Sequence, residues 1–191
     1  MIAGNELIFG EADEIEILND KPDIDTNKLI SQCSTDKQSL EMLYNTFKSD
    51  VFALAFSILG DYQLSEDCVT ETFVRLTQVK RFSKAQGNGK GFILKIARNC
   101  ALEIHRRYKR EVCSKVIQAY GEAEKTVEDS IYINQLLKYL SDKQKQIVIM
   151  KCCNQLTFRE IAKIMHSPES TVKSRYKRAI DVLRKKAGEM K

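Results

Sequence analysis

Proline and glycine are scarce in this chain, two and eight residues in 191, so regular structure has few breaks. No stretch approaches the ~18 consecutive apolar residues that a membrane span requires. The N-terminus also lacks a basic segment followed by an apolar run, so no secretory signal is expected and the cytoplasm is the expected compartment. Six cysteines are present, at 33, 68, 100, 113, 152 and 153, but none forms a C-x-x-C pair, and the two histidines lie far apart. Metal binding is therefore not expected, and Cys68 and Cys100, near apolar helix faces, read as small buried hydrophobes in a reducing compartment. The chain has no glycine-rich phosphate loop, no metal-ligand cluster and no plausible triad, which argues against an enzyme, and no cofactor or catalytic residue is assigned. No strand pattern competes with the helical ones, and no repeat is apparent.

What is present is ordinary for a soluble protein of one or two small domains: 43% hydrophobic and 30% charged residues. The net charge of +5 conceals a division, because residues 1 to 27 hold eight acids and one lysine, or −7, and the remainder carries +12. A basic body behind an acidic extension suits a protein that meets polyanions.

Apolar spacing predicts a succession of helices. Residues 26 to 33 form a short one, and Thr35 with Gln38 is expected to cap a longer one carrying Leu43, Phe47, Val51, Leu54 and Ile58, stopped by Gly60 and Asp61. Ser65 is the expected N-cap of the next, which runs to about Val79 with Val69, Phe73 and Leu76 on its apolar side. After the polar loop "SKAQGNGKG", a helix from Phe92 to about Tyr108 places Ile93, Ala97, Cys100, Ile104 and Tyr108 on one side. Lys95, Arg98, Asn99 and Arg106 fall on the other. Residues 84 to 110 hold eight lysines and arginines against one acid.

Weaker periodicity from 111 to 126 reads as a flexible linker. Beyond it, helices are expected near 127 to 140, 142 to 153, 157 to 165 and 168 to 186, with capping boxes at Ser141/Gln144 and Thr157/Glu160. The apolar residues of the 157 to 165 helix are Phe158, Ile161, Ala162, Ile164 and Met165. In "SPESTVKSRYKRAI", Ser167 is the expected N-cap and Pro168 the first helical residue. Val172, Tyr176, Ile180 and Leu183 share one face of that helix, and Ser170, Ser174, Lys177 and Arg178 the other, flanked by Lys173 and Arg175. A short helix, a tight turn and a second helix with short and basic side chains near its start form a helix-turn-helix, whose second helix enters the DNA major groove.

Two helical domains, the first with a basic helix and the second ending in a helix-turn-helix, resemble the extracytoplasmic-function (ECF) class of bacterial RNA polymerase sigma factors. "LSEDCVTETFVRL" is similar to that family's polymerase-docking helix and "GFILKIARNCALEIHRRYKR" to its upstream-melting helix. "LSDKQKQIVIMKCCNQLTFREIAKIMHSPESTVKSRYKRAIDVLRKK" is similar to its C-terminal domain. Phe92 stands where the family usually has tryptophan, and Thr70 where it usually has glutamine.

The resemblance implies an all-α fold of two small domains: an acidic extension at 1–27, a region 2-like domain at 28–110, a linker at 111–126 and a region 4-like domain at 127–191. It implies docking to core RNA polymerase through Glu66, Asp67, Thr70, Glu71 and Arg75. The minus-ten element would be captured as single strand by Phe92, Lys95, Arg98, Asn99 and Arg106. The minus-thirty-five element would be read as duplex by Ser170, Thr171, Lys173, Ser174, Arg175, Lys177 and Arg178. Core polymerase and promoter DNA are the implied partners, an anti-sigma factor is left open, and no membrane insertion is implied. The alternative is a helix-turn-helix regulator of duplex DNA that is no sigma subunit, which accounts for residues 157 to 186 and leaves the first domain unexplained.

Overall fold

A carboxylate side chain starts each of the first three helices. In the computed structural model, which describes residues 8–9, 15–16, 24–79, 82, 88–114 and 137–189, Asp25 precedes α1 (Thr26–Gln32) and accepts from the Lys28 N–H. Asp36 precedes α2 (Lys37–Leu59), its two oxygens accepting from the N–H groups of Gln38 and Ser39. Asp61 precedes α3 (Tyr62–Thr77), accepting from Leu64. The expected caps Thr35 and Ser65 are thus displaced. Asp36, one residue after Thr35, and Asp61, four residues before Ser65, satisfy helix-start N–H groups that would otherwise lack partners, and their charge suits the positive end of the dipole. Ser65 instead lies buried one turn inside α3, its hydroxyl donating to the Asp61 carbonyl. Gly60, at φ +66°, ends α2 in the left-handed conformation that glycine adopts without steric cost.

The helix expected from Phe92 is longer at both ends: α4 spans Gly89–Ser114. Asn88 caps it, accepting from the Gly91 N–H at 2.6 Å. Gly89 lies close to α1: a Cβ there would lie 2.7 Å from the Thr26 side chain and 2.9 Å from that of Ile30, so any larger residue would force those side chains to move. α2, α3 and α4 pack as a bundle over Leu43, Val51, Leu54, Leu76, Ile93 and Leu94, with Cys68 and Cys100 buried beside Ala55 and Ala101. Burial pushes the Cys68 thiol up to about 12, with Cys100 nearby adding to the shift, so it behaves as an inert apolar group. Tyr108, expected on the apolar side of α4, is 52% exposed because the bundle does not reach that far along the helix.

The C-terminal helices are α5 (Asp142–Val148), continued by a π-helical turn (Ile149–Cys153), then α6 (Phe158–Met165) and α7 (Glu169–Glu189). Both capping boxes form: Gln144 accepts from the Ser141 N–H, and Glu160 and Thr157 exchange bonds. His166, at φ 48°, turns the chain between α6 and α7. The start of α7 lies one residue later than expected. The Ser167 hydroxyl donates to the Met165 carbonyl, and the Pro168 carbonyl accepts from Val172. α5 and the π turn lie against α2, and α6 lies against α4, so one apolar cluster runs through both halves.

No strand was expected, yet Ile8–Phe9 and Ile15–Glu16 pair antiparallel within the acidic extension. The rest of that extension, most of the 111–126 segment and the greater part of the 127–140 helix lie outside the described residues.

Candidate nucleic-acid interface

α7 presents its two faces as its spacing dictates. Val172, Tyr176, Ile180 and Leu183, joined by Ala179, are buried, and Tyr176 meets Phe158 of α6 edge-on at 5.3 Å between ring centres. That packing turns the opposite side outward: Ser170, Lys173, Lys177 and Arg178 are exposed, and Thr171, Ser174 and Arg175 are half-buried. Lys173 is held along the helix by Glu169, 2.8 Å away, in an i,i+4 pair. Arg175 and Arg178 border an open groove of about 460 Å³ together with Ser141, Asp142, Lys143 and Gln144 at the start of α5. Three cations around one groove beside an exposed helix face can hold a polyanion.

The basic face of α4 is less open. Lys95, Asn99 and Arg106 are exposed, whereas Phe92 is half-buried and packs on Phe82, ring centres 5.0 Å apart. Arg98 is also half-buried, and its Nε donates to the side-chain oxygen of Gln146 at 2.9 Å. Burial, with Arg106 nearby, lowers the Arg98 pKa from its ordinary value. Along α4, Arg98 follows Leu94 by four residues and precedes Ala101 by three, which puts it on the border of the buried stripe.

On α3, Glu66, Asp67 and Thr70 are exposed, and the other two docking candidates already have partners. Arg75 bonds Glu71 at 2.7 Å along the helix and Glu103 of α4 at 2.6 Å across the bundle. The two carboxylates raise the Arg75 pKa, and Arg75 holds Glu103 below the usual carboxylate range. Val74, 46% exposed, shares the face of Asp67, Thr70 and Glu71. It escaped the sequence reading, although an apolar residue at the i+3 and i+4 positions of a polar face is the signal that exposes it. Gln146, Asn88 and Glu103 were also missed, since each bears on the site through a partner distant in the chain.

Two family models match the chain: "Sigma-70 region 2" over residues 43–111 and "Sigma-70, region 4" over residues 130–182. Together they take in well over half of it, and the chain belongs to the sigma-70 family of RNA polymerase sigma factors. Within that family it is an ECF sigma factor. It is 21% identical to the ECF RNA polymerase sigma factor SigX of Bacillus subtilis over 163 residues, 78% of this chain and 84% of that protein. SigM of the same organism is 24% identical, with 71% and 87% covered. The fold is shared with the sigma factor RpoE of Bartonella quintana, solved with the anti-sigma factor NepR: TM-score 0.63, 24% identity, 78% of this chain and 94% of that one. It is shared too with CnrH, solved with the cytosolic domain of CnrY, at TM-score 0.65 and 14% identity over 86% and 99%. The chain is thus a transcription initiation factor that binds core RNA polymerase and directs it to promoters, and the reading as a regulator that is no sigma subunit falls away. No helix among the described residues is long and apolar enough to cross a membrane.

Proposed function

We propose that three helix faces divide the work of initiation. Ser170, Thr171, Lys173, Ser174, Arg175, Lys177 and Arg178 of α7 read the minus-thirty-five element in the major groove. Phe92, Lys95, Arg98, Asn99 and Arg106 of α4 capture the melted minus-ten strand. Glu66, Asp67, Thr70, Glu71 and Arg75 of α3, joined by Val74, dock on core polymerase. The observation that carries this reading is the outward basic face of α7, fixed by the burial of Val172, Tyr176, Ile180 and Leu183 against the preceding helices. Short hydroxyl and basic side chains at the start of a helix suit base edges and phosphates.

The domain division follows the same lines: a region 2-like body at 28–110 and a region 4-like body at 127–191, joined through 111–126, with the acidic 1–27 segment ahead of them. The protein works without catalysis, in the cytoplasm, where its polymerase is. One structural neighbour, RpoE, was solved with the anti-sigma factor NepR, and a second, CnrH, with the cytosolic domain of CnrY, which supports a protein partner of the anti-sigma kind here.

Transcription in vitro with core polymerase and a promoter library tests the whole. Charge reversal of Asp67 should weaken core binding more than reversal of Glu71, because Glu71 is already paired with Arg75. Equal binding by wild type and the Asp67→Lys, Glu71→Lys double variant, both folded, overturns the docking face. An intact bubble by permanganate footprinting and normal promoter preference for Asn99→Ala would remove that residue from strand capture.

A further inference from the structure

α4 outruns the bundle it belongs to. Its buried stripe runs to Ala101, Ile104 is half-buried, and residues 105–110 are all exposed, although the helix continues to Ser114. Those six residues, "HRRYKR", hold the cations Arg106, Arg107, Lys109 and Arg110 and no acid, against Glu103 before them and Glu111 after. Arg106 faces Lys109 and Arg110 at the i+3 and i+4 positions, where like charges weaken a helix. Glu103, one turn earlier, already bonds Arg75 of α3. Arg110 turns back to donate to the Arg106 carbonyl of its own helix, at 3.3 Å. A helical turn with little packing and a one-sided charge gains most from an anion laid along it.

At about 100° per residue, Lys95, Asn99, Arg106 and Arg110 fall within about 60° of one another, in one row along α4. Toward the end of the helix the row widens, because Lys109 and Arg107 stand on either side of it and spread the charge over about 160°. A narrow row follows one strand. A wide arc reaches the two phosphate ridges of a duplex, which lie on either side of a groove. From Asn99 to Arg110 is about 17 Å of helix, or roughly five base-pair steps. The chain continues from α4 into the duplex-reading half, so DNA followed along α4 from Asn99 toward Arg110 leads from the minus-ten strand toward the minus-thirty-five element.

We propose that Arg107, Lys109 and Arg110 are a phosphate grip for the duplex immediately upstream of the minus-ten element, with Arg106 at the junction of strand and duplex. The placement rests on the reading of α4 as the strand-binding helix. Backbone contacts fix position and carry no sequence information, so the grip adds affinity to every promoter alike and leaves promoter choice to the other contacts. Long, charged side chains on an exposed turn suit that task, since they can follow either ridge and need no fixed base edge.

The test uses holoenzyme, the full chain with core polymerase, and a promoter selected from the library. One probe is a labelled fork: the minus-ten element as single strand, joined to a short upstream duplex that stops before the minus-thirty-five element. The other is the minus-ten single strand alone. Arg107→Gln, Lys109→Gln and Arg110→Gln together replace exposed residues and keep helix propensity. By fluorescence anisotropy over a salt series, this triple variant should bind the fork about tenfold more weakly at low salt, with a salt slope lower by about two to three units. Its binding to the single strand should match wild type, and its loss on the fork should be unchanged when the upstream duplex is scrambled. Fork binding equal to wild type at every salt concentration overturns the grip. Equal weakening on both probes also overturns it, because the cations then serve the strand, and so does a loss that follows the upstream sequence, because they then read bases. Lys95→Ala with Asn99→Ala tests the underlying reading separately. If that double variant loses single-strand affinity while the triple variant matches wild type on the fork, the strand face stands and the grip is overturned. If the double variant binds the single strand like wild type, the strand face falls, and the fork comparison still decides the grip.

Discussion

α4 and α7 carry the same one-dimensional pattern, an apolar stripe opposite lysines and arginines, and they end in different situations. α7 buries its stripe within the C-terminal half and leaves its basic face to solvent. α4 buries Ile93, Leu94, Ala97, Cys100 and Ala101 within the bundle, and α6 then packs on it, while Arg98 at the border of its basic face bonds Gln146 of α5 and its cap Asn88 bonds Glu160 of α6. Amphipathic spacing identifies the side that must leave water. It does not say whether the polar side stays in water, because polar groups can be covered at little cost when the covering element brings matching donors and acceptors.

The largest effect should come from the core that the two regions share. Leu43→Ala in the bundle and Ile161→Ala in α6 each remove a fully buried side chain and should cost about 2–5 kcal/mol. Because one apolar cluster runs through both halves, each substitution should shift a single urea transition, seen alike by probes in either half. Two transitions, each sensitive to only one substitution, would show that α4 and α7 belong to independently folding units.

Next in size is the open face of α7. Arg178→Ala should weaken binding to minus-thirty-five duplex by about 1–3 kcal/mol if Arg178 contacts a base, relaxing specificity at one position. If it contacts a phosphate, binding to all sequences should weaken and the salt slope should fall by about one unit. Anisotropy over a salt series separates the two, and unchanged binding at every salt concentration would mean that the exposed basic face is only a solvated surface.

Smaller again, Thr157→Ala breaks the capping box of α6 and should cost about 1 kcal/mol in urea unfolding. Since Glu160 of that box also takes the bond from Asn88, the loss should be smaller in an Asn88→Ala background, and strictly additive losses would uncouple the cap from the Asn88 bond.

The smallest effect concerns the other flank of α4. Glu103→Gln removes a largely exposed ion pair with Arg75 and should cost only about 0.2–1 kcal/mol at low salt. Arg75 lowers the Glu103 pKa in the folded chain, so the pair's contribution is fully present above the unfolded carboxylate value of about 4.3. It is lost as pH falls through the lower folded value. The difference between wild type and Glu103→Gln should therefore be present at neutral pH and vanish in acid; a difference that persists in strong acid would assign the effect to packing.

Much of the fold could be read from the chain because its signals are local. The stripe Val172, Tyr176, Ile180, Leu183, the boxes Ser141/Gln144 and Thr157/Glu160, and the stop at Gly60 each depend on residues within a turn or two of one another. Cap choice was harder even at that range, since Thr35 and Asp36, or Asp61 and Ser65, offer rival oxygens near the start of the same helix, and the structure uses the aspartate in both. Asp50 left a faint trace, a carboxylate between Phe47 and Leu54 on an apolar face, which marks a buried charge without naming its partners.

The sequence by itself determined an all-helical chain with two basic amphipathic helices, the second in a helix-turn-helix, because helix period, caps and apolar stripes act over a few residues. Only the tertiary structure decided that Arg98 meets Gln146, that Asn154 bonds the Asp50 carbonyl and that the α4 cap reaches Glu160. Those pairs are separated by 48, 104 and 72 residues, and such partners come together only when two surfaces dock with their shapes and polar groups in register. No short-range periodicity records that.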